Sequence, residues 1–407
     1  MSILTLPGIP NIHSHAFQRA MAGLAERQSE REDSFWTWRE LMYRFAGRVT
    51  PESMHDIAAQ VFVEMLQAGY TSVCEFHYLH HQADGRPYGD PSAMSQALIA
   101  AARETGIRLT LLPVLYLSGG FDGRPLSDRQ RRFGHSIESY LSLLDTLRAE
   151  EGPPLRIGIA LHSLRAVPAA AIKEILSTPQ AGAPRPIHIH IAEQIGEVEE
   201  CVALRGARPV EWLLANAPVN EHWTLVHATH LTEAEVRGAA ESKAVVALCP
   251  TTEANLGDGI FPLREFLGRH GRFGIGSDSN VSVSPVEELR WLEYGQRLIT
   301  RQRNIAVNRE MPSTGENLVA LAVSGGRQSN GQGAQEEDRV ELDPAALALA
   351  GAAAADVHDR FVFAGNRNLV KDVFVCGAQV ISNGEHAKGE EIARRYQKAL
   401  RALLADS

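Results

Sequence analysis

Eight short apolar runs alternate with amphipathic stretches from near the start of the chain to about residue 300. No other feature restricts the fold as strongly. The runs lie at Gly8–Ile12, Thr71–Glu75, Leu109–Leu117, Arg156–Leu161, Pro186–Ile191, Thr224–Val226, Val245–Leu248 and Arg272–Gly276. Several are apolar throughout, as expected of strands covered on both faces. The stretches between them carry helix starts. Thr50-Pro51-Glu52 places a capping residue before a proline, a second start falls at Asp90-Pro91, and Thr232-Glu-Ala-Glu235 has capping-box spacing. Eight strand–helix repeats predict an α/β fold of the (β/α)8 TIM-barrel type. A doubly wound open sheet is the alternative, but no glycine-rich phosphate loop favours it.

The pattern changes after residue 301. Ser324-Gly-Gly-Arg-Gln-Ser-Asn-Gly-Gln-Gly333 reads as a loop, and Ala345–Ala355 is alanine-rich and ambiguous. Asp372–Ile381 reads as two short strands around a turn at Gly377. The expected organisation is a barrel over residues 7–310. Residues 1–6 and 311–407 would form a small β-rich unit with a loop and a C-terminal helix.

With 407 residues, 44% hydrophobic and 22% charged, the chain can build one large core and a smaller unit. The net charge of −9 and the lack of a basic stripe argue against nucleic-acid binding. No apolar run approaches the ~20 residues that span a bilayer. Met1-Ser-Ile-Leu-Thr5 lacks the features of a secretion signal, and Cys74, Cys201, Cys249 and Cys376 are scattered. A cytoplasmic enzyme with no membrane or nucleic-acid partner is expected.

Barrel enzymes carry their chemistry at the C-terminal ends of the strands. His13 and His15 end the first expected strand, and their spacing sends both imidazoles to one side. His190 ends the fifth strand, His227 the sixth and Asp278 the eighth. His13, His15, His190 and Asp278 are therefore candidate ligands of one zinc-like ion, which would lower the pKa of a bound water to ~7. The fourth strand end, Ile157–Arg165, has no lysine to bridge a second metal, so one ion per chain is expected. Taken alone, His-x-His is often incidental and Asp278 could be a turn residue. Their joint placement at strand ends favours the metal.

Glu193, three residues after His190, can shuttle a proton from water to a leaving group. Its plainer reading is a first-turn helix acid. His227 can stabilise charge on a tetrahedral intermediate, and it is preferred to His230 because it ends the apolar run directly. Asp278 can also accept a proton.

These motifs resemble the amidohydrolase superfamily, in the branch that deaminates or dechlorinates carbon centres, from Leu6 to about Asn308. Within that branch the chain is similar to the deiminases of bacterial histidine degradation that act on N-formimino-L-glutamate. The runs that carry this are Asn11–Gly23, Asp33–Arg39, Glu75–Tyr78, Leu161–Ala166 and Cys249–Gly259. The resemblance implies hydrolysis of the formimino group to a formyl group and ammonia, with Glu193 protonating the departing nitrogen. It places substrate contacts on Gln18, Arg39, Tyr78, His162 and Arg165. Two arginines suit a small dicarboxylate substrate, because a guanidinium fork matches a carboxylate. Asn255 and Gly257 are expected to shape a loop, and His80 and His81 to lie on the surface. The superfamily also implies a homodimer.

The chain departs from the superfamily pattern in having only twelve residues before His13. The small β unit is thus expected to be a sandwich reduced at its N-terminal side, with an exposed strand edge. Gly331–Asp338 also lacks an apolar strand. Two rival functions remain. A deaminase or chlorohydrolase of a purine, pyrimidine or triazine ring would use the same metal site but has no need of two arginines. A non-catalytic relative would have lost Glu193 or His227, and both are present.

Overall fold

The computed structural model describes residues 4–28, 35–182, 185–333 and 337–405. Asp33 and Ser34 of the Asp33–Arg39 run lie outside them, as do residues 334–336 of the Gly331–Asp338 segment.

The strands in chain order are β1 (Leu4–Pro7), β2 (Ile9–Ser14), β3 (Tyr70–His77), β4 (Arg108–Leu115), β5 (Leu155–Ile157), β6 (Ile159–Ser163) and β7 (Ile187–Ile191). There follow β8 (Trp223–His227), β9 (Val245–Leu248), β10 (Arg272–Ile275), β11 (Arg339–Leu342), β12 (Val370–Val375), β13 (Ala378–Ser382) and β14 (Glu385–His386). Strands β2 to β10 form one parallel sheet in the order β3-β2-β10-β9-β8-β7-β6-β4-β5, and β3 also pairs with β4. The sheet therefore closes on itself. β5 and β6 are one barrel strand interrupted at Gly158, which gives eight positions and the expected TIM barrel. β2, β3, β4 and β7 are buried at every residue, which explains their continuous apolar patterns.

Two of the expected helix starts carry the anticipated caps. Thr50 and Ser53 form a capping box before Pro51–Ala68, and Thr232 and Glu235 form another before Glu233–Glu241. The helix expected from Asp90 starts at Ala93, with Ser92 as its cap.

Glycine content misleads at Ser324–Gly333. The segment is helical as far as Ser329, within the helix Thr314–Ser329. A Cβ on Gly325 would lie 2.0 Å from the Phe273 carbonyl oxygen, and one on Gly326 would lie 2.7 Å from Pro10. These glycines let the helix backbone touch β10 and β2, a packing gain that outweighs their low helix propensity. The end of this helix stoppers the N-terminal mouth of the barrel. Ser329 Oγ is 2.7 Å from Thr224 Oγ1, and its carbonyl is 3.2 Å from His188 Nε2. The buried Asn330 accepts from Thr110 Oγ1 through its carbonyl and donates to Ser72 Oγ.

The second sheet is antiparallel, in the order β1-β11-β12-β13-β14. β1 pairs with β11, Leu4 opposite Leu342, so the edge of β11 is covered by a strand from the start of the chain. The hairpin around Gly377 has Cys376 and Gly377 both at positive φ, as a tight two-residue turn requires. Ala345–Ala355 contains only a short 3-10 turn at Leu347–Leu349. The buried Arg108–Asp338 ion pair, 2.7 Å, ties β4 to the segment entering β11.

Candidate active site

The C-terminal ends of the barrel strands surround a recess lined by both polar and aromatic side chains. Several of these ends turn sharply. Ala192, His227, Ala228, Asp278 and Asn280 all have φ between 44° and 67°. Such conformations are uncommon outside glycine and concentrate where the surrounding structure holds functional groups in place.

Four groups meet at the floor. Nε2 of His13 lies 3.0 Å from Nε2 of His190, and Asp278 Oδ1 lies 3.3 Å from Nε2 of both His13 and His15. Nδ1 of His15 contacts the Phe76 carbonyl at 2.8 Å, and Nδ1 of His190 contacts the His162 carbonyl at 3.0 Å. A carbonyl can only accept, so both rings carry their proton on Nδ1 and turn an Nε2 lone pair inward. Inward lone pairs facing a carboxylate fit a cation between them. Two nitrogens on a tetrahedral ion at about 2.1 Å would lie roughly 3.4 Å apart. Burial pushes the His13 ring down to about 3, and lowers His15 and His190 as well. The imidazoles are thus held in the neutral form that binds metals. Asp278 is pushed up by burial, but hydrogen bonding and charge interaction with His13, then His15 and His227, hold it well below the usual carboxylate range.

His227, at the end of β8, adjoins this group, close enough to His13 and Asp278 to share an ion with them. Its Nε2 is 3.9 Å from Glu193 Oε1 and 3.9 Å from Asp278 Oδ2, and its Nδ1 is 3.3 Å from Glu253 Oε1. Burial alone would lower its pKa. The three carboxylates outweigh that and raise it to about 10, so the ring is an imidazolium at neutral pH. Burial, followed by the nearby Asp278 and Glu197, raises Glu193 to about 7 against the opposing pull of His227. A carboxyl poised there can take and return a proton.

Gln18, Arg39, Tyr78, His162 and Arg165 all line the same recess, with His15, His190, Glu193, His227 and Asp278. Gln18 Nε2 donates to Tyr78 Oη at 2.8 Å. The two arginines arrive from different places. Arg39 sits on the helix Phe35–Ala46, and Arg165 just after β6. Burial works against the Arg165 charge, yet Tyr116, Glu197 and Glu193 raise its pKa on balance. His230 does not line the recess. Gly257 ends the helix Pro250–Leu256 at φ 72°, and Asn255 Nδ2 donates to Glu26 at 2.7 Å.

Some groups have no local signal in the sequence. Trp38, Tyr43, Tyr116 and Phe133 form aromatic walls, and Glu197 accepts from the Ala192 and Glu193 amides. Glu253 reaches His227 by folding back from the turn after β9. His80 and His81 are not surface residues. His80 is 1% exposed and His81 is half-buried, and both pack against His135, with His77 edge-on to His80.

Residues 4–312 match the Amidohydrolase family. The chain is 51% identical over 406 residues to a formimidoylglutamate deiminase of Pseudomonas aeruginosa, covering 98% of this chain and 89% of that protein. A crystal structure of an amidohydrolase from Brucella melitensis superposes with a TM-score of 0.93 at 45% identity, covering 98% of this chain and 90% of that one. An adenosine deaminase from Xanthomonas campestris with bound zinc shares the fold, with a TM-score of 0.81 at 20% identity over 99% of this chain and 86% of its own. The closed barrel, the histidine–aspartate floor and a family match over most of its length together identify this chain as a member of the amidohydrolase family.

Proposed function

We propose that this chain hydrolyses N-formimino-L-glutamate to N-formyl-L-glutamate and ammonia, with one zinc ion held by His13, His15, His190 and Asp278. The observation that carries the substrate is the pair Arg39 and Arg165 lining one recess with that histidine–aspartate floor. The substrate has a carboxylate at each end of its glutamate moiety, and each guanidinium can take one in a two-pronged contact. The 51% identity to a protein named formimidoylglutamate deiminase supports the same reading.

A divalent cation bound at the floor supplies a water of lowered pKa as nucleophile at neutral pH. The chain's own residues do the rest. Arg39 and Arg165 fix the carboxylates, while Gln18, Tyr78 and His162 hydrogen-bond the bound substrate, so that the formimino carbon is held over the floor. Glu193 takes one proton from the attacking water at its carboxylate and delivers it to the imino nitrogen, and the second proton of that water, passed by way of Asp278, reaches the same nitrogen as the C–N bond breaks, so that it leaves as ammonia. His227 offers its Nε2–H to the charge that builds up on the adding oxygen, and Asp278 can hold a proton in transit.

The test is ammonia release by zinc-loaded protein from N-formimino-L-glutamate, beside a panel of amino-substituted purines and pyrimidines, with Glu193→Gln as control. Release from formiminoglutamate alone, reduced about 10²- to 10⁴-fold in the variant, is expected. Turnover of a ring amine alone would discard the arginine clamp and favour a ring deaminase.

A further inference from the structure

The ring of His227 has to present one particular nitrogen to the reacting atoms, and its own backbone does not decide which. It sits where β8 turns out of the barrel, at φ 67°. A half-turn of the ring about its bond to Cβ exchanges the edge that carries Nε2 for the one that does not. One contact removes this freedom. Glu253 Oε1 lies 3.3 Å from Nδ1 of His227, with both residues buried, and no other hydrogen bond to that nitrogen exists among the described residues.

Glu253 is itself fixed. The same Oε1 accepts the Cys249 amide at 3.0 Å, so the side chain is folded back over the start of its own helix, Pro250–Leu256. The two residues before it anchor that turn. Thr251 donates its amide to the buried Glu288 at 2.9 Å, and Thr252 Oγ1 accepts the Ser279 amide at 3.3 Å, beside Asp278. Three consecutive side chains thus tie this turn to the neighbouring helix, to the Asp278 loop and to His227.

We infer that Glu253 is a positioning residue: by accepting the Nδ1–H of His227 it fixes which edge of the ring faces the recess and holds Nε2–H toward the substrate. This rests on the role proposed above for His227. The logic is that of a carboxylate behind a catalytic histidine, where the partner of the far nitrogen sets the orientation of the near one.

The experiment compares Glu253→Ala with Glu253→Gln in zinc-loaded protein whose metal content has been measured, and records the far-downfield imidazole N–H proton spectrum of each. The wild type should show a hydrogen-bonded Nδ1–H that disappears in a His227→Gln control. Glu253→Ala should lose this signal and lose about 30-fold in kcat, a magnitude typical of removing a partner that orients a site histidine, with KM within about twofold. Glu253→Gln, whose amide oxygen can occupy the same place, should recover the signal and most of kcat. A purely structural role for Glu253 would lower the unfolding temperature and leave kcat of the folded fraction unchanged. Persistence of the signal in Glu253→Ala, or kcat within about twofold of wild type, overturns the inference. Should Glu253→Ala fail to fold, ring nitrogen shifts of wild-type His227 decide, since an unprotonated Nδ1 is incompatible with it. Failure of the proposed reaction would be seen separately, as wild-type protein that releases no ammonia from formiminoglutamate while the proton spectra still report on the contact.

Discussion

Acid should unfold this protein through a group of histidines that the proposed chemistry does not use. His77 and His135 are 2% and 8% exposed and belong to the cluster with His80 and His81. Burial, reinforced in His77 by His135 and Arg132 and in His135 by His81, pushes each ring down to about 3. The unfolded value is about 6.5. The folded pKa is the lower, so the unfolded chain binds more protons in acid. The stability is intact above pH ~6.5 and drains away as the pH falls toward about 3. At pH 5 each ring costs 2.303RT × 1.5, or about 2 kcal/mol, and the pair about 4 kcal/mol, against a usual total of about 5–15 kcal/mol. Urea unfolding followed by circular dichroism at pH 7 and pH 5 measures this directly. The double variant His77→Gln/His135→Gln should lose about 4 kcal/mol less than wild type over that interval. The comparison cancels the other buried histidines, which titrate in both proteins. Equal losses in the two proteins would refute the argument and mean that the rings are already protonated, or solvated, in the folded state.

Replacing Arg165 with Met should lower kcat/KM for formiminoglutamate by about 100-fold, roughly 3 kcal/mol for a lost charged contact, mainly through KM in steady-state assays. Gly325→Ala should destabilise by about 1–3 kcal/mol in thermal melts, because its Cβ would meet the Phe273 carbonyl oxygen at 2.0 Å. Asp338→Ala leaves the buried Arg108 without its carboxylate and should cost about 3–5 kcal/mol in urea unfolding. Chelation should abolish ammonia release and lower the melting temperature, and added zinc should restore both.

The barrel was legible because buried parallel strands write themselves as apolar runs, and the floor because the residues that meet there sit directly at the ends of those runs. His13, His15, His190 and Asp278 needed no knowledge of loops. Arg39, Arg165, Gln18, Tyr78 and His162 came from resemblance, since nothing local in the sequence directs a loop side chain toward a common recess. Glu253 stayed hidden because its contact with His227 spans 26 positions and depends on a turn folding back. The glycines of Ser324–Ser329 pointed to a loop because propensity speaks for an isolated helix, whereas this helix is held by contact with β2 and β10. His80 and His81 were placed outside because adjacent polar residues usually are, and only the tertiary packing around His135 buries them.

The seam where the barrel closes joins the two extremes of its sequence. β2 pairs with β10, Asn11 beside Ile275, and Ser14 bridges to Asp278. His13 and His15 leave the ribosome first among the four floor residues and Asp278 last, more than 260 residues later. During synthesis β2 must wait, unpaired on that side, until about two thirds of the chain has been made, a non-local closure of the slow kind. No nascent fragment short of residue 278 possesses the complete floor. The meeting of all four residues therefore reports that the ring has shut, and the floor comes into being only as the barrel closes its own seam.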